Sequence, residues 1–306
     1  MKILITGGAG FIGSNIVDKL IELGHNVSVL DNLSTGKKEN LNPKAKFYQV
    51  DLLDPNLSKV FDEGKFEIVY HLAAQIDVRK SVADPAYDAN INIVGSLKLL
   101  QECVRSKIKK FIFSSTGGAL YGEGNKMPVS EEGIIQPLSS YGIAKRSVEL
   151  YLYMFNKVHG LNFTVLRYGN VFGPRQDPKG EAGVNAIFIG KMLNNEELTI
   201  NGDGNQERDY VYVGDVVNAN ILALSKGDRN SYNVGNGKGI TVNKIFTDLA
   251  QIIGYKKAAN YGPGKAGEIY KIYLDYSKIS KDLGWKPKTT FEDGLKITVD
   301  WHRSVH

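Results

Sequence analysis

The sequence predicts an α/β fold: a doubly wound parallel sheet with a smaller mixed α/β domain on its C-terminal side. Three observations predict it. Apolar runs alternate with amphipathic runs through the first half, glycine and polar motifs follow the apolar runs, and this regularity weakens after about residue 168. Strand–helix alternation gives right-handed crossovers and a parallel sheet covered on both faces. Such a sheet binds ligands beyond the carboxyl ends of its strands, where the motifs fall here.

Six apolar runs in the first half are predicted strands: Ile3–Thr6, Val27–Leu30, Lys46–Val50, Ile68–Leu72, Lys110–Ser114 and Asn162–Arg167. A further strand near 231–236 is expected to return to the sheet. Residues 173–183 and 261–267 are predicted loops, and 201–205 is a turn cluster. We therefore expect residues 1–170, with the returning strand, to form one domain. Residues 171–306 should form mainly the second domain, interleaved with the first.

Helices are predicted between these strands. Apolar residues from Ile12 to Leu23 recur at helical spacing, and Gly24 supplies the stop. Asp84 followed by Pro85 is typical of a cap and first helical turn, and predicts a long helix towards Ser106. Another helix should run from near Tyr141 through Val158 and end at Gly160.

Composition restricts the class of protein. The 306 residues are 42% apolar and 23% charged with a net charge of +5, which excludes a disordered chain. Basic residues are spread along the chain, so no nucleic-acid partner is expected. No apolar run reaches about 18 residues, so no membrane span is expected. The single cysteine, Cys103, fits a reducing compartment, and the chain begins directly with a strand-like run; we expect a cytoplasmic protein.

A glycine-rich segment follows the first strand. Gly7, Gly10 and Gly13 have the GxxGxxG spacing of a dinucleotide-binding turn of the Rossmann type. The first glycine allows a tight turn, and the others allow close approach of a pyrophosphate and of the helix. Asp31 ends the second strand, where a carboxylate binds a ribose diol and repels a 2′-phosphate. The pattern predicts NAD rather than NADP as the cofactor.

A tyrosine and a lysine lie four residues apart on the helix that begins near Tyr141. Tyr141 and Lys145 therefore share one helix face, and a nearby ammonium favours the phenolate of a tyrosine. Upstream, a strand ends in hydroxyl-bearing residues that include Ser114 and Thr116. These hydroxyls either contact a substrate or cap the following turn. His71 is expected to be hydrogen-bonded rather than a base, and the histidines and the cysteine show no metal-ligand spacing, so no metal is expected.

With these motifs, the chain resembles the extended short-chain dehydrogenase/reductase family. The segments that carry the resemblance are TGGAGFIG at 6–13, HLAA at 71–74, Tyr141 with Lys145, and RYGN at 167–170. Three others are similar to UDP-glucose 4-epimerases: SSTGGALYG at 114–122, GPRQDP at 173–178 and QERDYV at 206–211. The likeness extends from Met1 to Trp285.

The resemblance implies a role for each matching residue. Thr116 would bind the sugar 4-oxygen, Tyr141 would be the acid and base, and Lys145 would hold the nicotinamide ribose and lower the tyrosine pKa. The implied cofactor residues are Gly7, Gly10, Phe11, Ile12, Gly13, Asp31, Asn32, Asp51, Leu52, Leu72, Ala73, Ala74, Asn92, Ser114, Tyr141, Lys145 and Tyr168. The implied substrate residues are Gln75, Thr116, Tyr141, Asn170, Val184, Asn201, Arg208 and Lys265. A homodimer formed through two long helices is also implied.

One position departs from the resemblance. Relatives place an arginine shortly before Leu274 and Asp275, and Tyr270 stands there in this chain. A second phosphate contact would then come from Lys265 or Lys271, or be absent. The same stretch sizes the sugar pocket in relatives, so acceptance of an N-acetyl group stays open.

The resemblance favours UDP-galactose/UDP-glucose 4-epimerisation through transient oxidation at C4. The alternatives are 4-epimerisation of UDP-N-acetylhexosamines or another NAD-dependent nucleotide-sugar epimerisation. Dehydratases of the family carry Thr-Asp-Glu where this chain has Thr116-Gly117-Gly118, and glycine cannot transfer protons. Two other readings are a dehydrogenase that releases its reduced cofactor and a non-catalytic NAD-binding module.

Overall fold

The computed structural model describes residues 1–178, 183–264 and 269–305. Within these ranges the strands are β1 (Lys2–Thr6), β2 (Asn26–Leu30), β3 (Lys46–Tyr48), β4 (Ile68–His71), β5 (Lys110–Thr116), β6 (Phe163–Tyr168), β7 (Asn170–Phe172), β8 (Thr199–Asn201), β9 (Glu207–Arg208), β10 (Tyr210–Tyr212), β11 (Asn230–Val234), β12 (Ile240–Thr241), β13 (Asn260–Gly262) and β14 (Lys271–Ile272). The α-helices are α1 (Phe11–Glu22), α2 (Leu57–Gly64), α3 (Val78–Ala83), α4 (Pro85–Ala89), α5 (Gly95–Arg105), α6 (Ser140–His159), α7 (Val184–Leu193), α8 (Val213–Ala223), α9 (Val242–Ile253), α10 (Ser277–Leu283) and α11 (Phe291–Val305).

Seven strands form a parallel sheet in the order β3-β2-β1-β4-β5-β6-β11. The strand order reverses at β1, since β2 lies on one side of it and β4 on the other. This reversal opens a crevice at the carboxyl ends of β1 and β4, the place where open α/β sheets bind ligands. The predicted Rossmann-type doubly wound sheet is confirmed.

Each face of the sheet has its own hydrophobic core. On one face α1 and α8 pack against apolar side chains of β1, β2 and β6, among them Ile5 and Val29. On the other face α2, α5 and α6 cover the remaining side chains, with Leu99 and Leu152 fully buried. Burial on both faces explains why the strand sequences are continuously apolar rather than alternating.

A third core lies outside the large sheet. Residues of α7, α9 and α11 pack around Phe172, Tyr210 and Phe291, whose rings meet at centroid distances of 5.2–6.5 Å. Two- and three-stranded sheets accompany it: β7 with β10, β8 with β13, and β9 between β12 and β14. The large N-terminal sheet is thus followed by a smaller mixed α/β region, as the predicted fold class requires.

The structure differs from the predicted elements in three places. The long helix after Asp84 is interrupted, because residues Asn90–Val94 form a π-helical turn between α4 and α5. The third strand ends at Tyr48 rather than Val50. Residues 260–262 form β13 within the segment predicted as a loop, since their backbone pairs with β8.

Candidate active site

The glycine-rich segment forms a tight turn between β1 and α1. Gly7 has φ of +72°, and a Cβ there would lie 2.6 Å from the backbone nitrogen of Ala73. A Cβ on Gly13 would lie 2.2 Å from the carbonyl oxygen of Gly7. Both positions therefore require glycine, and the first turn of α1 is brought against β1 with its N–H groups facing the crevice. Phe11 and Ile12 open that first turn.

Acidic and amide side chains meet at the carboxyl ends of β2 and β3. Asp31 is buried, and its two carboxylate oxygens accept N–H bonds from Ala9 (3.0 Å) and Leu33 (2.9 Å). Burial raises the pKa of Asp31, and the two backbone bonds oppose that rise. Beside it, the Asn32 amide donates to Asp51 at 2.6 Å. The two backbone N–H bonds thus hold the Asp31 carboxylate next to the glycine turn, where the ribose-binding prediction places it.

The residues that follow β4 line the other side of the crevice. Leu72 directly follows the last residue of β4, and Ala73 donates its N–H to the Thr6 hydroxyl at 3.3 Å. His71 is buried, with Nδ1 2.8 Å from the Thr6 hydroxyl and Nε2 2.8 Å from Ser96 Oγ. Burial lowers the pKa of His71 to about 3, so the ring is neutral. The prediction of a hydrogen-bonded histidine is confirmed.

Tyr141 and Lys145 lie one turn apart on α6, beside the end of β5. The Lys145 ammonium is buried, donates to the carbonyl of Ser114 at 2.8 Å and lies 5.7 Å from the centre of the Tyr141 ring. Thr116 ends β5, and its hydroxyl oxygen accepts the N–H of Ala119 at 3.2 Å. The structure thus brings the predicted tyrosine, lysine and threonine to one edge, and Thr116 also caps its turn.

The charge state of this pair differs from the expectation. Burial, followed by the negative charge of Asp88, raises the pKa of Tyr141 well above its usual value. Burial lowers the pKa of Lys145 to about 8, although Asp88 and Glu149 oppose that change. In the protein without ligands, burial therefore outweighs the expected effect of the ammonium, and the tyrosine is a neutral phenol at pH 7.

The two glycines after Thr116 have different surroundings. A Cβ on Gly117 would lie 2.4 Å from Cδ1 of the buried Leu274, so no side chain fits at that position without displacing Leu274. A Cβ on Gly118 would lie 3.3 Å from Oδ1 of Asn170. Asn170, a predicted substrate residue at the start of β7, therefore lies beside the turn that carries Thr116.

A buried polar network fixes α6 against the sheet. Glu149 lies one turn beyond Lys145 and accepts bonds from Ser115 (2.7 Å) and from Arg167 (3.0 and 2.7 Å). Arg167 also donates to the hydroxyl of Tyr121 at 2.9 Å. Sequence reasoning missed this network, although the spacing of Tyr141, Lys145 and Glu149 places all three on one helix face.

Gln75 and Asn92 bind each other and a buried carboxylate. Asn92 accepts the N–H of Gln75 (2.8 Å) and donates to its carbonyl (2.9 Å). Both side-chain amides donate to Oδ1 of Asp88 at 2.9 Å. The amide groups predicted to face the cofactor and the substrate therefore hold the segment after β4 in place. Sequence reasoning missed Asp88, which lies four residues before Asn92.

Tyr168 and Leu52 are buried at the edge of the crevice. The Tyr168 hydroxyl bonds with the side-chain amide of Asn220 on α8, at 2.8 Å to the nitrogen. Leu52 packs in the core covered by α5. Both predicted cofactor residues thus contribute their side chains to packing, and Tyr168 joins β6 to α8.

The predicted substrate residues of the second half lie on separate elements. Arg208, on β9, donates to the carbonyl groups of Glu207 (2.9 Å) and Tyr270 (3.3 Å). Asn201 ends β8, and its carbonyl accepts a bond from Gln206 at 3.0 Å. Val184 begins α7. Lys265 lies outside the described residues.

Tyr270, which stands where relatives place an arginine, contacts an acidic side chain. Its hydroxyl donates to Asp203 at 3.0 Å, in the turn that follows β8. Lys271, the alternative phosphate ligand, pairs with Glu207 at 3.2 Å. The tyrosine thus links β14 to that turn.

Within residues 1–178, 183–264 and 269–305, no helix is both long and apolar enough to cross a membrane. The same ranges contain no group of three or more His, Cys, Asp or Glu side chains suited to a metal ion.

Together, the glycine turn, the acidic strand end and the Tyr/Lys pair are typical of a dinucleotide-dependent α/β enzyme. Comparison with known proteins specifies the class further. The chain belongs to the NAD dependent epimerase/dehydratase family, whose sequence profile matches residues 3–235.

Three solved structures are similar over the whole chain. The UDP-glucose 4-epimerase of Thermotoga maritima, solved with UDP-glucose, is 54% identical with a TM-score of 0.98 and covers 100% of this chain and 99% of its own. The UDP-glucose 4-epimerase of Thermus thermophilus, solved with NAD, is 42% identical with a TM-score of 0.94, and each chain is fully covered. The UDP-N-acetylglucosamine 4-epimerase of Methanobrevibacter ruminantium, in complex with UDP-N-acetylmuramic acid, is 40% identical with a TM-score of 0.94 and covers 100% and 99%.

Proposed function

We propose that the protein is a UDP-glucose 4-epimerase that interconverts UDP-galactose and UDP-glucose with a retained NAD. The observation that carries the proposal is the edge formed by Thr116, Tyr141 and Lys145, next to a Gly117 whose side-chain space is filled by Leu274. A dehydratase needs a further acid and base beside the threonine, and this chain has glycine at 117 and 118, with Leu274 occupying the side-chain space at 117. The edge therefore favours chemistry that needs one proton acceptor.

The crevice fits NAD. Gly7 and Gly13 allow the tight turn that brings the first turn of α1 against β1, where a pyrophosphate would bind, and Asp31 stands at the end of β2 to receive a ribose diol. Asn32 and Asp51 lie beyond it, towards the adenine. When bound there, NAD would supply the hydride acceptor for C4 of the sugar and the hydride donor for the return step.

The chain's own residues handle the proton. Tyr141 takes the proton of the 4-hydroxyl and later gives it back, and Thr116 holds the 4-oxygen by a hydrogen bond. Lys145, held by its hydrogen bond to the Ser114 carbonyl, fixes the nicotinamide ribose. Burial raises the pKa of Tyr141, and a cationic cofactor ring would lower it. The resemblance to the family and the half-buried setting of the phenol support these roles.

The diphosphate must be held firmly while the hexose stays free to turn. Asn170 and Arg208 supply the diphosphate contacts in this proposal, with Asn201 and Val184 near the base. Arginine suits this task because its planar fork binds phosphate oxygens in pairs.

In this proposal, residues 1–170 with β11 form the NAD-binding domain, and residues 171–306 form mainly the substrate domain.

A second candidate function is 4-epimerisation of UDP-N-acetylhexosamines. It is favoured by the 40% identity to the UDP-N-acetylglucosamine 4-epimerase of M. ruminantium. Tyr270 stands where relatives have an arginine, and a difference in the size of the sugar pocket is expected at this position.

The proposed enzyme is a cytoplasmic homodimer, formed through the exposed face of α6. The outer face of α6 carries exposed apolar side chains, including Leu150, Tyr153 and Val158. They border a cleft with α5 lined by Leu97, Val104 and Met154. A second copy of the same two helices would bury this face.

The test is to incubate the purified protein with UDP-galactose, without added cofactor, and to look for UDP-glucose by chromatography. Conversion that is lost in Tyr141→Phe is the expected result. If UDP-galactose stays unchanged even with added NAD, the UDP-hexose assignment is wrong. UDP-N-acetylhexosamines are then tried, and stoichiometric NAD binding without turnover of any nucleotide sugar would identify a non-catalytic module.

A further inference from the structure

Asp88 is a fully buried carboxylate behind the candidate catalytic edge. Its Oδ1 accepts two amide bonds, from Gln75 and Asn92, both at 2.9 Å. Its Oδ2 is buried and has no hydrogen-bond partner. A buried carboxylate with a free oxygen is costly to fold, so its presence indicates a task that an apolar residue could not perform.

The elements around Asp88 connect directly to Tyr141. Asp88 lies on α4, which packs against α6. On α3, immediately before α4, the hydroxyl of Ser81 accepts the backbone N–H of Tyr141 at 3.1 Å and donates to the carbonyl of Val78 at 2.7 Å. The start of the helix that carries the tyrosine is therefore tied to the segment that Asp88 holds.

We propose that Asp88 is a positioning residue for the epimerase reaction: its carboxylate fixes the segment after β4 against α6, and its negative charge sets the pH range in which Tyr141 accepts a proton. The inference rests on the proposed function, because it assigns Tyr141 the role of acid and base. Without this charge, the Tyr141 phenol would ionise at lower pH.

The other charged groups near Tyr141 do not perform this task. Lys145 lies on the same helix and holds Ser114. Glu149 is neutralised by Arg167 and Arg146 at 2.7 and 3.0 Å. His71, on β4, is neutral. Asp88 is therefore the negative charge that acts on the phenol from the α4 side, in agreement with its contribution to the raised pKa of Tyr141.

The test compares the wild-type holoenzyme with Asp88→Asn over a range of pH, with UDP-galactose as substrate. Asparagine keeps the Oδ1 that accepts both amides and replaces the charged, unpartnered oxygen with a neutral NH2 group of similar size. We expect the rising limb of kcat/KM to move to lower pH, because removing a nearby negative charge lowers the pKa of a phenol. NAD content and the melting temperature are measured alongside.

Asp84→Ala is the matched control. Asp84 caps the same helix, α4, by accepting the N–H of Tyr87 at 3.0 Å, and its side chain is exposed. Its loss should lower the melting temperature without moving the pH midpoint. If Asp88→Asn does not fold, Asp88→Ser removes the same charge and repeats the measurement.

The outcomes separate the two proposals. A wild-type protein that turns over no nucleotide sugar overturns the proposed function. An active wild type whose pH midpoint coincides with that of the neutral Asp88 variant overturns the inference, even if the variant is slower at every pH. A midpoint that moves in Asp88→Asn and stays in Asp84→Ala supports it.

Discussion

The buried pair of Arg167 and Glu149 offers the sharpest test of how the site is held together. Both side chains are almost completely buried, with 4% and 3% exposed, and Arg167 donates to both carboxylate oxygens and to Tyr121. Arg167→Met keeps the aliphatic volume and removes every donor. Glu149 then retains Ser115 and the partly exposed Arg146 as partners.

The expected loss follows from the bonds removed. Two hydrogen bonds to a charged partner are worth about 1.5–3 kcal/mol each, and breaking one side of a buried ion pair costs about 3–5 kcal/mol in other proteins. We therefore expect Arg167→Met to lower the free energy of unfolding by about 4 kcal/mol. Urea denaturation followed by circular dichroism measures it.

The control is a pair of similar geometry on the surface. Lys244 contacts Asp248 and Glu292 at 2.8 Å, with 46% of its side chain exposed, so Lys244→Met should cost about 0–1 kcal/mol. The double variant Arg167→Met/Glu149→Leu should recover part of the loss, because no unpaired charge remains buried. A loss below about 1 kcal/mol for Arg167→Met would mean that the network contributes no more than a surface pair.

Three further predictions concern the cofactor and the assembly. Gly7→Ala should abolish NAD retention, measured as bound cofactor per chain, because the new Cβ would meet the backbone of Ala73. The control is Gly254→Ala: Gly254 has φ of +84°, and a Cβ there would have no atom within 4 Å, so this variant should lose stability but keep NAD. Equal NAD content in both variants would refute this. Asp31→Ser should reduce the preference for NAD over NADP at least roughly tenfold, since a like-charge contact with the 2′-phosphate disappears; an unchanged ratio of dissociation constants would speak against that role. Leu150→Asp should give a monomer in analytical ultracentrifugation, and a persistent dimer would exclude the α6 face.

The large sheet and its glycine turn could be predicted from sequence because local signals determine them. Gly7 and Gly13 follow a strand at a fixed spacing, and Tyr141 and Lys145 are one helical turn apart. The helix ends were also local: Gly160 adopts the left-handed conformation with φ of +70° and ends α6. Such features depend on a few neighbouring residues.

The remaining features depend on contacts between distant parts of the chain. β13 forms because its backbone pairs with that of β8, about 60 residues earlier in the chain. Its own sequence is too polar to indicate a strand. The raised pKa of Tyr141 depends on burial and on Asp88, which reaches it from another helix. Patterns within one segment carry no information about such packing.

The last strand of the large sheet has a consequence for synthesis of the protein. The chain leaves the sheet at Tyr168 and returns only at Asn230, where β11 covers the outer edge of β6. A nascent chain that stops before residue 230 exposes that edge, with a row of unpaired backbone groups available to neighbouring chains. Truncation near residue 170 should therefore yield aggregates rather than a working half, and on the ribosome the sheet stays open until β11 has emerged.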